Sequence, residues 1–232
     1  MLNLDARGQG TRMIDFEAAR KKMVENQLRT SNITDRRLLM TMAQLPRERF
    51  VPEDRRDLAY IDEMHRLPAD GAPRYLSAPA PFGRLVQLAA INTGDRVLDL
   101  GCATGYSAAV LASLADKVVA VESDPGLADA ARANLASLGF GNVKLVEGPL
   151  EAGARAESPF DVIVIEFALE AAPEALFAQL AEGGRLVALI RQGVVAVAHL
   201  FVKSGRDVAA KAEFDANLPA FPAAERAPDF VF

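Results

Sequence analysis

The run RVLDLGCATGYSAAVLASLA, from Arg96 to Ala115, leaves the chain few ways to fold. Val97 and Leu98 open a short apolar segment that leads into Asp99, and Gly101 and Gly105 then bracket a tight loop. Beyond it, Ala108, Ala109, Leu111, Ala112 and Ala115 recur at helical spacing. The pattern predicts a buried parallel strand, a glycine turn and a helix. Glycine lets the turn close sharply and lets a ligand approach the backbone. The start of the helix offers free N–H groups to whatever sits in the loop.

A dinucleotide turn reads G-x-G-x-x-G and closes on a pyrophosphate. This loop is Gly-Cys-Ala-Thr-Gly, with Ala103 at its middle position and Asp99 just upstream. Asp99 would repel a pyrophosphate, whereas it suits a ligand carrying an ammonium or a sulfonium. That charge logic favours S-adenosyl-L-methionine over a nicotinamide dinucleotide. Lys117 to Gly139 then predicts a second strand, Glu122 at its carboxyl end, and a second helix. An acid about 20 residues past the loop is where doubly wound sites hold ribose hydroxyls. The plainer alternative, two ordinary acids at helix starts, does not account for loop, strand and acid agreeing in spacing.

The rest of the chain alternates in the same way. Strands are expected at Asn142–Gly148, Phe160–Phe167 and Arg185–Ile190, a helix at Pro173–Leu180, and a turn at Gly183-Gly184. A closing hairpin is expected from Val194–Lys203 and Glu213–Leu218. Repeated alternation of this kind gives an α/β fold: an open, doubly wound, mainly parallel sheet with helices on both faces. Upstream, residues 1–12 read as a flexible tail, with Met13 an alternative start. Residues 13–82 read as N-terminal helices and an acceptor loop, and 83–232 as the ligand-binding core.

Within 13–82, helices are expected at Asp15–Thr30 and at Thr34–Gln44, the latter capped by Thr34. Pro46 to Glu63 reads as a charged, solvated connector. Pro68, Pro73, Pro79 and Pro81, with Gly71, give Leu67 to Phe82 the character of a shaped loop, the usual place for an acceptor pocket. A helix is expected to follow at Gly83–Ile91.

Composition narrows the partners. Half of the 232 residues are hydrophobic, enough for one sizeable domain with an appendage. A net charge of −5 argues against a nucleic-acid partner. The single cysteine, Cys102, rules out an intrachain disulfide or a cysteine zinc site and fits a cytoplasmic location. His65 and His199 are too few for a metal cluster and read as structural, so no metal is expected. No apolar run reaches the ~18 residues of a membrane helix, and the N-terminus lacks a signal-peptide pattern, so no membrane association is expected.

VLDLGCATGY together with VESDP resembles the class I S-adenosylmethionine-dependent methyltransferases. Outside that core, Met23 to Asp62 resembles the N-terminal segment of the protein-L-isoaspartate O-methyltransferase family, where a helix pair precedes Pro-Arg-x-x-Phe-Val-Pro and an Ala-Tyr. Tyr75 to Pro79 (YLSAP) resembles the family's Thr-Ile-Ser-x-Pro loop, and Ala172 to Val187 its later helix, turn and strand. The resemblance implies a Rossmann-like sheet of the seven-stranded type and methylation of the carboxylate of L-isoaspartyl residues in damaged proteins. It implies Ser77 as the active-site serine, with Asp99, Gly101, Ala103, Gly105 and Tyr106 along the methionine side of the cofactor. Glu122 and Ser123 would meet its ribose and adenine, with Gly148, Pro149 and Leu150 flanking the adenine.

Three places depart from the family pattern. Gly-Gln-Thr becomes Pro73, Arg74 and Tyr75; Gly-Asp-Gly becomes Gly148, Pro149 and Leu150; and small or hydroxyl residues after the fourth strand become Glu166 and Phe167. Arg74, Tyr75 and Glu166 therefore stand as candidate acceptor-side residues, Arg74 as a countercharge for a carboxylate. Glu166 in the pocket would instead suit an amine or hydroxyl acceptor. A methyltransferase for another acceptor and a non-catalytic S-adenosylmethionine-binding module both stay open.

Overall fold

The computed structural model describes residues 14–70, 72–193 and 195–216. The expectations for the tail, for Met13 and for Leu218 fall outside them. Helix α1 (Phe16–Met23) starts where Asp15 accepts a hydrogen bond from the Ala18 N–H at 2.9 Å. The helical path continues with a wider turn over Val24–Leu28 and a tighter one over Arg29–Ser31, then stops at Asn32 in the left-handed conformation. Helix α2 (Arg36–Gln44) is capped by Asp35, not by Thr34. The Asp35 carboxylate takes the Arg37 and Leu38 N–H groups at 2.8 and 3.1 Å, while the Thr34 N–H is held by Gln87.

Strand β1 (His65–Leu67) ends where the expected loop begins and pairs antiparallel with β2 (Arg74–Leu76), which lies inside it. Helix α3 (Pro79–Ala89) begins earlier than expected, because Pro79 suits the first helical position. Strand β3 (Arg96–Leu100), helix α4 (Tyr106–Ala112), strand β4 (Lys117–Glu122), helix α5 (Pro125–Ser137) and strand β5 (Val143–Glu147) follow. Strand β6 (Phe160–Leu169), the single-turn helix α6 (Glu174–Phe177) and strands β7 (Leu180–Gln192), β8 (Val195–Ser204) and β9 (Asp207–Ala216) complete the described chain. The helix expected over Pro173–Leu180 is thus confined to one turn. Strand β9 starts at Asp207 rather than Glu213; its exposed alanines and charges lie at a sheet edge and carry little alternation.

The main sheet has the order β5-β4-β3-β6-β7-β8-β9, parallel through β7 and antiparallel for β8 and β9. The chain runs outward from β3 to β5 and returns on the other side of β3 at β6. Strand order therefore reverses between β3 and β6, where Asp99 pairs with Val164 and Leu100 with Ile165. Ligands on such sheets bind beyond the carboxyl ends at that reversal.

One face packs against α3, α4, α5 and the N-terminal helices in a continuous core that includes Met23, Leu28, Ile33, Phe82 and Leu111. A Cβ on Gly83 would stand 2.6 Å from Ile33 Cδ1, so the N-terminal segment docks closely on α3 at that point. The other face, with Leu98, Leu100, Val121, Ile163 and Leu186, is covered by the turn at Leu150–Ala152 and by α6. Burial on both faces explains the nearly continuous apolar runs of β3, β4 and β6. Asp99 interrupts the pattern: a fully buried carboxyl in a central strand needs a reason.

Candidate active site

The loop after β3 turns through three left-handed residues, Gly101, Ala103 and Gly105, at φ of +87°, +50° and +93°. Only glycine takes such angles without strain, and two of the three positions use it. A Cβ on Gly105 would lie 3.2 Å from Ala131, so α5 presses against the loop there. A Cβ on Gly101 would lie 3.0 Å from the Phe167 ring and 3.4 Å from Arg74 Nη2. The bare side of Gly101 is thus the side that Arg74 and Phe167 approach.

Glu122 ends β4 and is fully buried. Its Oε1 accepts from the backbone N–H groups of Ser123 and Asp124 at 2.8 and 2.9 Å, and its Oε2 from that of Ala103 at 2.8 Å. Arg74 completes the set from β2, donating Nη1 to Oε1 and Nη2 to Oε2, the latter at 2.6 Å. Arg74 Nη1 also reaches Ser123 Oγ at 3.3 Å. Asp124 joins the same corner, capping α5 through Leu127 and accepting from the Asp70 N–H at 2.8 Å. A hollow of about 150 Å³ lies among Asp70, Ala72, Arg74, Ser123 and Asp124.

Asp99 Oδ2 accepts from Ser107 Oγ at 2.7 Å. Its carboxyl also faces that of Glu166 on β6, and Asp99 Oδ1 and Glu166 Oε1 have no conventional donor. Burial pushes Asp99 up to about 6, against the hydrogen bonds from Glu166 and Ser107. Burial and then the charge of Asp99 hold Glu166 well above the usual carboxylate range. The pair therefore keeps a proton at neutral pH. Burial, reinforced by Asp99 and Glu122, also pushes the Cys102 thiol well up, leaving it a poor nucleophile.

Ser77 lies between β2 and α3 and is buried. Its carbonyl accepts from Arg47 Nη2 at 2.6 Å, while Arg47 Nε donates to the Ala59 carbonyl at 2.8 Å. Arg47 belongs to the connector read as solvated, yet it is completely buried, its guanidinium 4.8 Å over the Tyr106 ring. Burial lowers its pKa, opposed most by Tyr106. Tyr106 packs in turn against Phe50 and Phe82 at 5.4 and 5.9 Å, so it supports the loop from the aromatic core. His65 is buried near this group and falls to about 4, through desolvation and then the charge of Arg47.

The remaining candidates divide. The Gly148 N–H closes on the Glu122 carbonyl at 3.0 Å, bringing the β5 turn to the same corner. Pro149 precedes Leu150, which is buried and lines an apolar cavity of about 330 Å³ with Leu100, Ile165, Phe167 and Leu176. Phe167 thus touches both that cavity and Gly101. Tyr75 pairs with Arg66 across the small hairpin. Sequence reasoning missed Arg47, Ser107 and Asp124. The only signal for Arg47 was its place between Pro46 and the apolar Phe50-Val51; Ser107 stands eight residues after Asp99, on the first turn of α4.

Residues 18–217 match the family model for protein-L-isoaspartate(D-aspartate) O-methyltransferase. Protein-L-isoaspartate O-methyltransferase 2 of Anaeromyxobacter sp. (strain Fw109-5) is 44% identical over 171 residues, 74% of this chain and 69% of that protein. A solved structure of a protein-L-isoaspartate O-methyltransferase is 27% identical with a TM-score of 0.77, covering 88% of this chain and 66% of the other. A Plasmodium falciparum structure of the same description, solved with S-adenosyl-L-homocysteine, gives a TM-score of 0.71 at 22% identity, over 87% of this chain and 97% of that one. At that identity it speaks to the fold alone.

Proposed function

The chain belongs to the protein-L-isoaspartate(D-aspartate) O-methyltransferase family, and we propose from that membership that it methylates the free carboxylate of L-isoaspartyl residues in damaged proteins. Its methyl donor is S-adenosyl-L-methionine. When bound, that donor supplies an electrophilic methyl group on a cationic sulfur. The residues present fit it: a loop stripped of Cβ at Gly101, the buried Asp99 carboxyl on the strand leading into that loop, and the Glu122 carboxylate at the neighbouring strand end. Glu122 and Ser123 would hold the ribose and adenine, with Gly148, Pro149 and Leu150 alongside. Asp99 would face the cationic methionine end, with Gly101, Ala103 and Gly105 lining the path and Tyr106 bracing it from behind.

One observation carries the acceptor side: Arg74, three residues before Ser77, touches Glu122. The contact brings the Ser77 loop onto the corner assigned to the donor. A carboxylate acceptor is already ionised near neutral pH, so it needs alignment and desolvation rather than a base. Ser77 would hold that carboxylate by its hydroxyl, on a backbone fixed through Arg47. On this reading residues 13–82 serve the acceptor, with Tyr75 at the rim, and the chain from 83 onward serves the donor. Glu166 is engaged with Asp99 and protonated, which counts against its use as a base for an amine or hydroxyl acceptor.

Net charge and the single buried thiol favour a cytoplasmic enzyme of peptide and protein chains rather than of nucleic acid. The test is transfer of labelled methyl to an isoaspartyl peptide and to its aspartyl counterpart. Transfer to the first alone is expected. Equal transfer to both, or none above blank, rejects the reading.

A further inference from the structure

We propose that Arg74 is a two-position residue that occupies the ribose seat on Glu122 until S-adenosyl-L-methionine enters, and is then released to hold the acceptor carboxylate. The inference rests on the proposed function and adds an order of events to it. A carboxylate offers about four lone-pair sites. Glu122 already meets three backbone N–H groups and two guanidinium N–H groups. The backbone donors belong to the loop and to the start of α5, and they stay. A ribose hydroxyl can therefore bind Glu122 only where the guanidinium leaves.

The same side chain lies along the bare face of Gly101. Its departure thus clears both the ribose seat and part of the approach to the loop. The guanidinium has somewhere to go. Arg74 stands on β2, three residues before Ser77, and it is 7% exposed beside the small hollow formed with Asp70, Ala72, Ser123 and Asp124. A planar, always-charged fork suits either partner, the Glu122 carboxylate or an isoaspartyl carboxylate. Donor binding thereby creates the acceptor site, and an acceptor carboxylate has no free guanidinium until the donor is in place.

A self-occupied site lowers apparent affinity by the fraction of molecules in the open state. With the seat filled about nine-tenths of the time, Arg74→Met should bind S-adenosyl-L-homocysteine about tenfold more tightly by calorimetry. The same variant should lower kcat/KM for an isoaspartyl peptide about tenfold or more, with KM raised. Weaker or equal nucleoside binding by Arg74→Met overturns the proposal, because Arg74 would then be only a structural partner of Glu122. So does tighter binding with unchanged peptide KM.

A second measurement needs no variant. Modification of Arg74 in the native chain by a dicarbonyl reagent, read by peptide mass, should rise on adding S-adenosyl-L-homocysteine. Unchanged or reduced labelling overturns the release. Failure of both native and variant chains to bind the nucleoside would instead reject the cofactor assignment, and with it this inference.

Discussion

Asp99 on β3 and Glu166 on β6 meet carboxyl to carboxyl on adjacent parallel strands, with Ser107 donating to Asp99 Oδ2 at 2.7 Å. Two buried acids in contact cannot both ionise cheaply, so one proton holds the pair together.

That proton makes stability pH-dependent. Both folded-state pKa values lie above the unfolded values of about 3.9 and 4.3, so the folded chain binds more protons. The contribution is complete below about pH 4 and declines as pH rises through about 6. Glu166→Gln keeps a donor for Asp99 without a titrating proton. Relative to the native chain it should gain stability steadily as pH rises from 4.5 to 8, measured by urea denaturation. A difference that does not change with pH would exclude the shared proton.

Gly101→Ala places a side chain at φ +87° and against the Phe167 ring. The backbone part should cost about 1–2 kcal/mol. In a Phe167→Ala background the steric part disappears, so the same substitution should cost about 1 kcal/mol less there. Equal costs in both backgrounds would show that the ring yields freely.

Arg47→Met leaves the buried Ser77 carbonyl without its donor and takes one of two from the Ala59 carbonyl, which keeps His65. The orphaned Ser77 acceptor costs about 1–3 kcal/mol and the lost charge-assisted bond to Ala59 about 1.5–3, so a loss of roughly 2–6 kcal/mol in chemical denaturation is expected. Arg47→Lys should recover less than half of it, because one ammonium cannot reproduce a rigid fork. Full recovery by lysine would mean that charge alone matters.

On the proposed assignment of Ser77 to the acceptor carboxylate, Ser77→Ala removes one hydrogen bond to an ionised group, worth about 1.5–3 kcal/mol. Turnover on an isoaspartyl peptide should fall roughly 10- to 100-fold. Binding of S-adenosyl-L-homocysteine should stay within about twofold. An equal fall in nucleoside affinity would place Ser77 on the donor side instead.

Much of this was legible before folding. The glycine turn, the strand leading into it and Glu122 at the next strand end follow from dihedral limits and from period-2 and period-3.6 patterning. Elements whose sequence signal is weaker depart from it. Asp35 rather than Thr34 caps α2, since the cap depends on which side chain meets the free N–H groups. The edge strand β9 extended six residues beyond its legible part, because its side chains are mostly exposed and need not alternate.

The sequence by itself determined the order of elements and the identity of the two acids, because both are written in neighbours a few residues apart. Only the tertiary structure decided how those acids are satisfied. Arg74 reaches Glu122 across 48 residues of chain, and Arg47 reaches the Ser77 carbonyl across 30. Charge in a string is the same whether it ends in water or in the core. The energy of a charge depends on the solvent removed around it and on the partners that replace that solvent, and both are set by packing between distant segments.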